Sequence, residues 1–135
     1  MSEIASLNRH HSAELGGAPV LDVEVVRSLQ ELGGEDEPGL LLELVQLYLE
    51  DAEERVDCIR SSREIRDVEA VARMAHALKS ASANLGAKGF SRSCSELELA
   101  ARGGDWDQVG PLVDKALGMY VELRAVLESL RQDLL

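Results

Sequence analysis

The chain is short of aromatics, cysteine and proline. One tryptophan, two tyrosines and one phenylalanine among 135 residues cannot build a core of stacked rings, so aliphatic side chains must fill the interior. The two cysteines, Cys58 and Cys94, are not spaced as a CxxC pair. They read as reduced core thiols, neither a disulfide framework nor a metal site. Basic charge is scarce too: 14 Lys and Arg against 25 Asp and Glu give a formal net charge of −11. That balance argues against nucleic acid as a partner, because phosphate binding needs a basic face that releases counterions. No apolar run approaches the roughly 20 residues of a membrane span, and Met1-Ser2-Glu3-Ile4 lacks the basic end and apolar run of a signal peptide. A cytoplasmic protein with no membrane partner is expected. Nothing alternates with period two over a useful length, so strands are not expected.

What is present is helical periodicity. At this length one domain is expected, and it buries about two-thirds of the surface its unfolded chain exposes. Residues 1–18 are polar, contain Gly16-Gly17 and precede Pro19, which predicts a flexible arm or at most one short docking helix. His10 and His11 in this arm have no ligand set at metal spacing around them. Residues 19–135 predict an all-α domain: an antiparallel four-helix bundle with one short additional N-terminal helix. Asp22 caps the short helix, which carries Val25, Val26, Leu29 and Leu32 and stops at Gly33-Gly34. Pro38 fits the first turn of a long helix with Leu41, Leu44, Val45, Tyr48, Ala52, Val56 and Ile59 on one face. Asp67 caps a third helix ending near Gly86, and a fourth buries Phe90, Cys94, Leu97 and Ala101 before Gly103-Gly104. Asp105 caps a turn carrying Trp106, and a last helix presents Leu112 through Leu134. Pro111 predicts a break or kink between the two.

The third helix carries the chain's one histidine outside the arm. Val68, Val71, Ala75, Leu78, Ser82 and Leu85 make its apolar stripe, and His76 lies about 120° away at 3.6 residues per turn. The imidazole therefore faces water. Its neighbours at three and four residues are Ala72, Arg73, Lys79, Ser80 and Ala83. No carboxylate, cysteine or serine–base pair lies within reach along this helix, which argues against hydrolytic chemistry. Arg73 stands where a di-iron bundle would place Glu, and phosphate-loop and HExxH motifs are absent. No metal and no cofactor of its own are expected. Arg73, Lys79, Lys88 and Arg92 form a small positive island on an acidic body if this helix pairs with the next one.

The order His76, Leu78, Lys79, small Ser80, small Ser82, Leu85, Gly86, Ala87 resembles the signature of histidine-containing phosphotransfer (HPt) domains. The resemblance extends from Pro19-Val20-Leu21-Asp22 to Cys94, Glu96, Leu97, Glu98, Ala101, Arg102, Gly103, Gly104 and Asp105, covering roughly residues 19–133. Ser80 departs from it, since the family usually has glycine there. The resemblance implies that His76 carries the phosphoryl group, through Nε2, that Lys79 pairs with it, and that Ser80 is the close-approach position. It implies a receiver domain of a response regulator and a hybrid sensor kinase as partners, with magnesium supplied by the receiver.

An exposed imidazole is partly unprotonated near neutral pH and can attack an activated phosphoryl group. Lys79 meets the added negative charge, and Arg73 does so from the other side. Ala72, Ser80 and Ala83 then keep the His76 face low for a concave partner, with Ala87 and Lys88 rimming its lower end. A monomer is expected, as no apolar seam is evident. The competing readings are a helical adaptor that binds a receiver or another protein without being phosphorylated, and the dimerisation and phosphoacceptor part of a sensor kinase.

Overall fold

A computed structural model of the chain describes residues 14–15 and 18–135. Five helices lie among them: α1 (Val23–Gly33), α2 (Leu40–Glu64), α3 (Val68–Leu85), α4 (Lys88–Gly103) and α5 (Trp106–Leu134). Three of the five begin at an aspartate whose carboxylate takes a free amide of the first turn: Asp22 from Glu24 at 2.9 Å, Asp67 from Ala70 at 3.1 Å and Asp105 from Asp107 at 3.0 Å. Helix α3 ends in a left-handed glycine, Gly86, at φ 93°. The Gly86 and Ala87 amides then bond back to the Ala83 and Ser82 carbonyls at 3.1 and 2.8 Å, which turns the chain sharply into α4.

Helices α2 to α5 pack as a closed ring of neighbours, α2 on α3, α3 on α4, α4 on α5 and α5 on α2, with α1 laid across α2 and α3. Short connections between consecutive members make them antiparallel. The interior is aliphatic, as composition required. Val45, Ile59, Leu78, Leu97, Leu123 and Leu127 are all buried around Phe90 and Tyr120, whose rings lie 5.8 Å apart. Two hydroxyls that enter this interior are paired, Tyr48 with Ser82 Oγ at 2.7 Å and Tyr120 donating to Glu53 at 2.7 Å, while the buried Ser93 Oγ has no hydrogen-bond partner among the described residues.

The structure corrects the sequence reading in three places. Glu14–Leu15 and Ala18–Pro19 pair as a two-residue antiparallel ladder, β1 and β2, where no strand was expected. Both lie against α4, so this part of the predicted arm is placed by backbone pairing that two residues per strand cannot announce in a hydropathy pattern. His10, His11 and the rest of the arm lie outside the described residues. Pro38 precedes α2, which starts at Leu40 behind Gly39. Helix α5 runs unbroken through Pro111. Only the exposed Asp107 carbonyl loses its helical partner there, and Gly110 has no Cβ to collide with the proline ring. The Trp106 turn is thus the first turn of α5 itself.

Candidate phosphoacceptor site

The Asp67 cap and the turn at Gly86 fix where α3 starts and stops, and they hold its middle turn opposite the middle of α4. His76 is exposed there, its side chain retaining 57% of its accessible surface. Across the helix pair stands Glu98, whose side chain keeps only 10%. The imidazole Nδ1 lies 3.0 Å from Glu98 Oε2 and 3.2 Å from Oε1. Lys79 Nζ donates to Oε1 at 2.9 Å. Arg102 donates to Oε2 through Nε at 3.0 Å and a terminal nitrogen at 2.8 Å.

Three cationic or N–H donors on one nearly buried carboxylate settle its charge state. The ammonium of Lys79 and the guanidinium of Arg102, together with the imidazole, outweigh burial and hold the Glu98 carboxyl down at about 2. An ionised carboxylate only accepts hydrogen bonds, so the proton between the two groups belongs to Nδ1. In the neutral ring Nε2 is then the nitrogen with a free lone pair. Ser91 Oγ, donating to the Lys79 carbonyl at 2.8 Å, stitches α4 to the same turn of α3.

This arrangement presents one nucleophilic nitrogen on an accessible ring, oriented from behind by an anion and flanked by a lysine. Among the described residues no group of three or more His, Cys, Asp or Glu side chains gathers as a metal site. None of the described helices is long and apolar enough to cross a membrane. The Hpt domain model matches residues 43–133, which hold α3, α4 and every side chain just named. The chain belongs to the Hpt domain family. Among solved structures it is similar to histidine-containing phosphotransfer protein B from Pseudomonas aeruginosa, with 32% identity, 86% of this chain and 97% of that one covered, and a TM-score of 0.76. Histidine-containing phosphotransfer proteins from rice and maize, at 23% and 22% identity, share the fold with TM-scores of 0.80. The rice pair covers 98% of this chain and 90% of that one; the maize pair covers 97% and 93%. A search of curated proteins returned no match. Hpt proteins are intermediates in phosphorelays, exchanging phosphoryl groups with receiver domains and kinases, and this one performs histidine phosphotransfer.

Within this Hpt domain the expected site residues divide. His76, Lys79, Ser80, Ala83 and Arg73 lie on the accessible side of α3, with Lys79 half-buried. Ala72 and Ala87, expected on the docking face, are buried at 3% and 0% exposure. Ala72 turns inward because α4 packs over that edge of α3, and Ala87 sits at the N-cap of α4. Lys88 is exposed but engaged, its ammonium 2.8 Å from Asp22. The expected positive island is therefore partly neutralised: Asp22 offsets Lys88, and Glu98 offsets Lys79. Glu98 and Arg102 are the site residues that sequence reasoning left without a role, having found no carboxylate along α3. Their signal was a glutamate at an inward position of α4, between Cys94 and Ala101, with an arginine one turn on.

Proposed function

We propose that His76 is the phosphoacceptor and that Nε2 is the atom phosphorylated. The observation carrying this reading is the ionised Glu98 on Nδ1, which leaves Nε2 as the nucleophile on an exposed ring. In the step, the Nε2 lone pair attacks the phosphorus of an aspartyl phosphate on a receiver domain. The N–P bond forms while the P–O bond to the acyl oxygen breaks, and that electron pair leaves with the aspartate carboxylate. The Nδ1 proton stays on the ring, whose growing positive charge Glu98 stabilises. Lys79 can turn from Glu98 toward the arriving phosphoryl oxygens.

Magnesium and the remaining catalytic groups come from the receiver, since this site offers positioning and charge alone. We place the protein as a monomeric cytoplasmic shuttle between a hybrid sensor kinase and a response regulator. The cysteines Cys58 and Cys94, both free thiols, fit a reducing compartment. Docking on the α3 surface is supported by the low profile of Ser80 and Ala83.

The test mixes the purified protein with a panel of phosphorylated receiver domains, and separately with acetyl phosphate, and follows acid-labile label. Wild type takes label from a phospho-receiver and His76→Gln takes none. A wild type that binds receivers yet stays unlabelled with every donor sinks the relay reading and leaves a helical adaptor in its place.

A further inference from the structure

A helical side chain leans over the turn N-terminal to its own Cα, so the His76 ring leans toward residues 72 and 73. On that side a cleft of about 450 Å³ opens between α3 and α4, lined by Glu69, Ala72, Arg73, Ala101, Arg102 and Gly104. Its floor is shallow in bulk because Ala72 and Ala101 are both alanines and both buried. Its walls carry two guanidiniums, one from each helix. Arg73 is exposed and has no hydrogen bond or ion pair among the described residues. Arg102 spends Nε and one terminal nitrogen on Glu98 and keeps the other terminal nitrogen uncommitted.

We infer that this cleft receives an acidic side chain of the protein that exchanges phosphoryl groups with His76, gripped between Arg73 and Arg102. The inference rests on the phosphoacceptor reading of His76 and adds to it a point of recognition. Charge complementarity identifies the occupant. Arg73, Lys79 and Arg102 against Glu69 and Glu98 leave the rim locally positive, on a chain whose formal net charge is −11. Glu69 faces the same cleft, but it stands in the first turn of α3, where the helix N-terminus already offsets its charge. A fork of N–H donors matches a carboxylate in two parallel bonds, and the small floor leaves depth for the methylene of Asp or Glu. Rim charges of this kind act on encounter more than on the bound state, and they fade with salt.

The experiment compares wild type, Arg73→Gln and Arg73→Glu with two donors: a phosphorylated receiver domain, which must dock, and phosphoramidate, which need not. With the receiver at low salt, the apparent kcat/KM falls by about threefold for Arg73→Gln and about tenfold or more for Arg73→Glu. The loss sits in KM, shrinks as salt rises and exceeds any loss in labelling by phosphoramidate. Replacing one acidic rim residue of the receiver by Arg restores transfer to Arg73→Glu. If wild type takes label from the receiver and Arg73→Glu does so equally well at every salt concentration, this inference alone is overturned. It is overturned as well if the phosphoramidate reaction falls in step with the receiver reaction, which would put Arg73 at the ring and not at a docking contact. A wild type labelled by no receiver removes the phosphoacceptor reading and this inference with it.

Discussion

Glu98 has two separable effects, one on chemistry and one on stability. In Glu98→Gln the amide oxygen still accepts from Nδ1–H, but the charge behind the ring is gone. Losing that charge withdraws stabilisation from the developing imidazolium and slows transfer to His76 by about tenfold. Single-turnover labelling checks this, with circular dichroism as the fold control. The stability effect has a definite sign. The Glu98 carboxyl falls from an ordinary value of about 4.5 to about 2 on folding. Folding is therefore favoured by this group above about pH 4.5, and that contribution is lost as pH falls from there toward 2. Urea midpoints measured across this window drop in wild type, and the drop is smaller in Glu98→Gln. Equal slopes for the two proteins would mean that Glu98 is not held ionised by its neighbours.

At the level of elements, the turn joining α3 to α4 decides whether His76 meets Glu98 at all. Gly86 is bound to it twice over. Its φ of 93° lies in the left-handed region, and an added Cβ would stand 3.1 Å from Val25 Cβ and 3.2 Å from the Asp22 carbonyl oxygen. Gly104, at φ 77°, closes α4 in the same conformation with open space around it. Gly104→Ala therefore loses about 1 kcal/mol, the backbone term alone. Gly86→Ala loses about 2–3 kcal/mol, because strain is joined by a clash with α1. Chemical denaturation of both variants measures the difference. Similar losses would show that α1 yields without cost. Tyr48 tests the other contact of α3. Tyr48→Phe leaves the fully buried Ser82 hydroxyl without its partner and costs about 1–2 kcal/mol by the same method.

For the whole molecule, the closed ring of four helices separates stability from chemistry. Helix α5 supplies the largest buried side chain, Tyr120, and fully buried Leu123 and Leu127, yet no atom of α5 enters the site. Leu123→Ala opens a cavity worth about 2–5 kcal/mol, against a total stability of roughly 5–15 kcal/mol. The variant's urea midpoint falls accordingly. Its transfer rate per folded molecule stays within about twofold of wild type, measured by single-turnover labelling below the unfolding transition. A rate that falls with stability would mean that the α3–α4 geometry depends on the packing of α5 against α4.

The sequence alone determined the helices, their apolar faces and the histidine on an accessible face. These are local properties: a 3.6-residue period, an aspartate before a run, a glycine after it, and a ring about 120° from an apolar stripe. His76, Lys79 and Ser80 were legible for the same reason, since they share one turn of one helix. Pairing along the chain does not reach across helices, so the carboxylate that orients the ring was invisible from α3. Glu98 is 22 residues from His76, and only the register of α4 against α3, set at Gly86, brings the two together. That same packing buried Ala72 and Ala87, tied Lys88 to Asp22 and left Arg73 without a partner among the described residues. Whether a side chain on a helix meets solvent, a neighbour or an opposite charge depends on which element covers that face, and only the tertiary structure decides this.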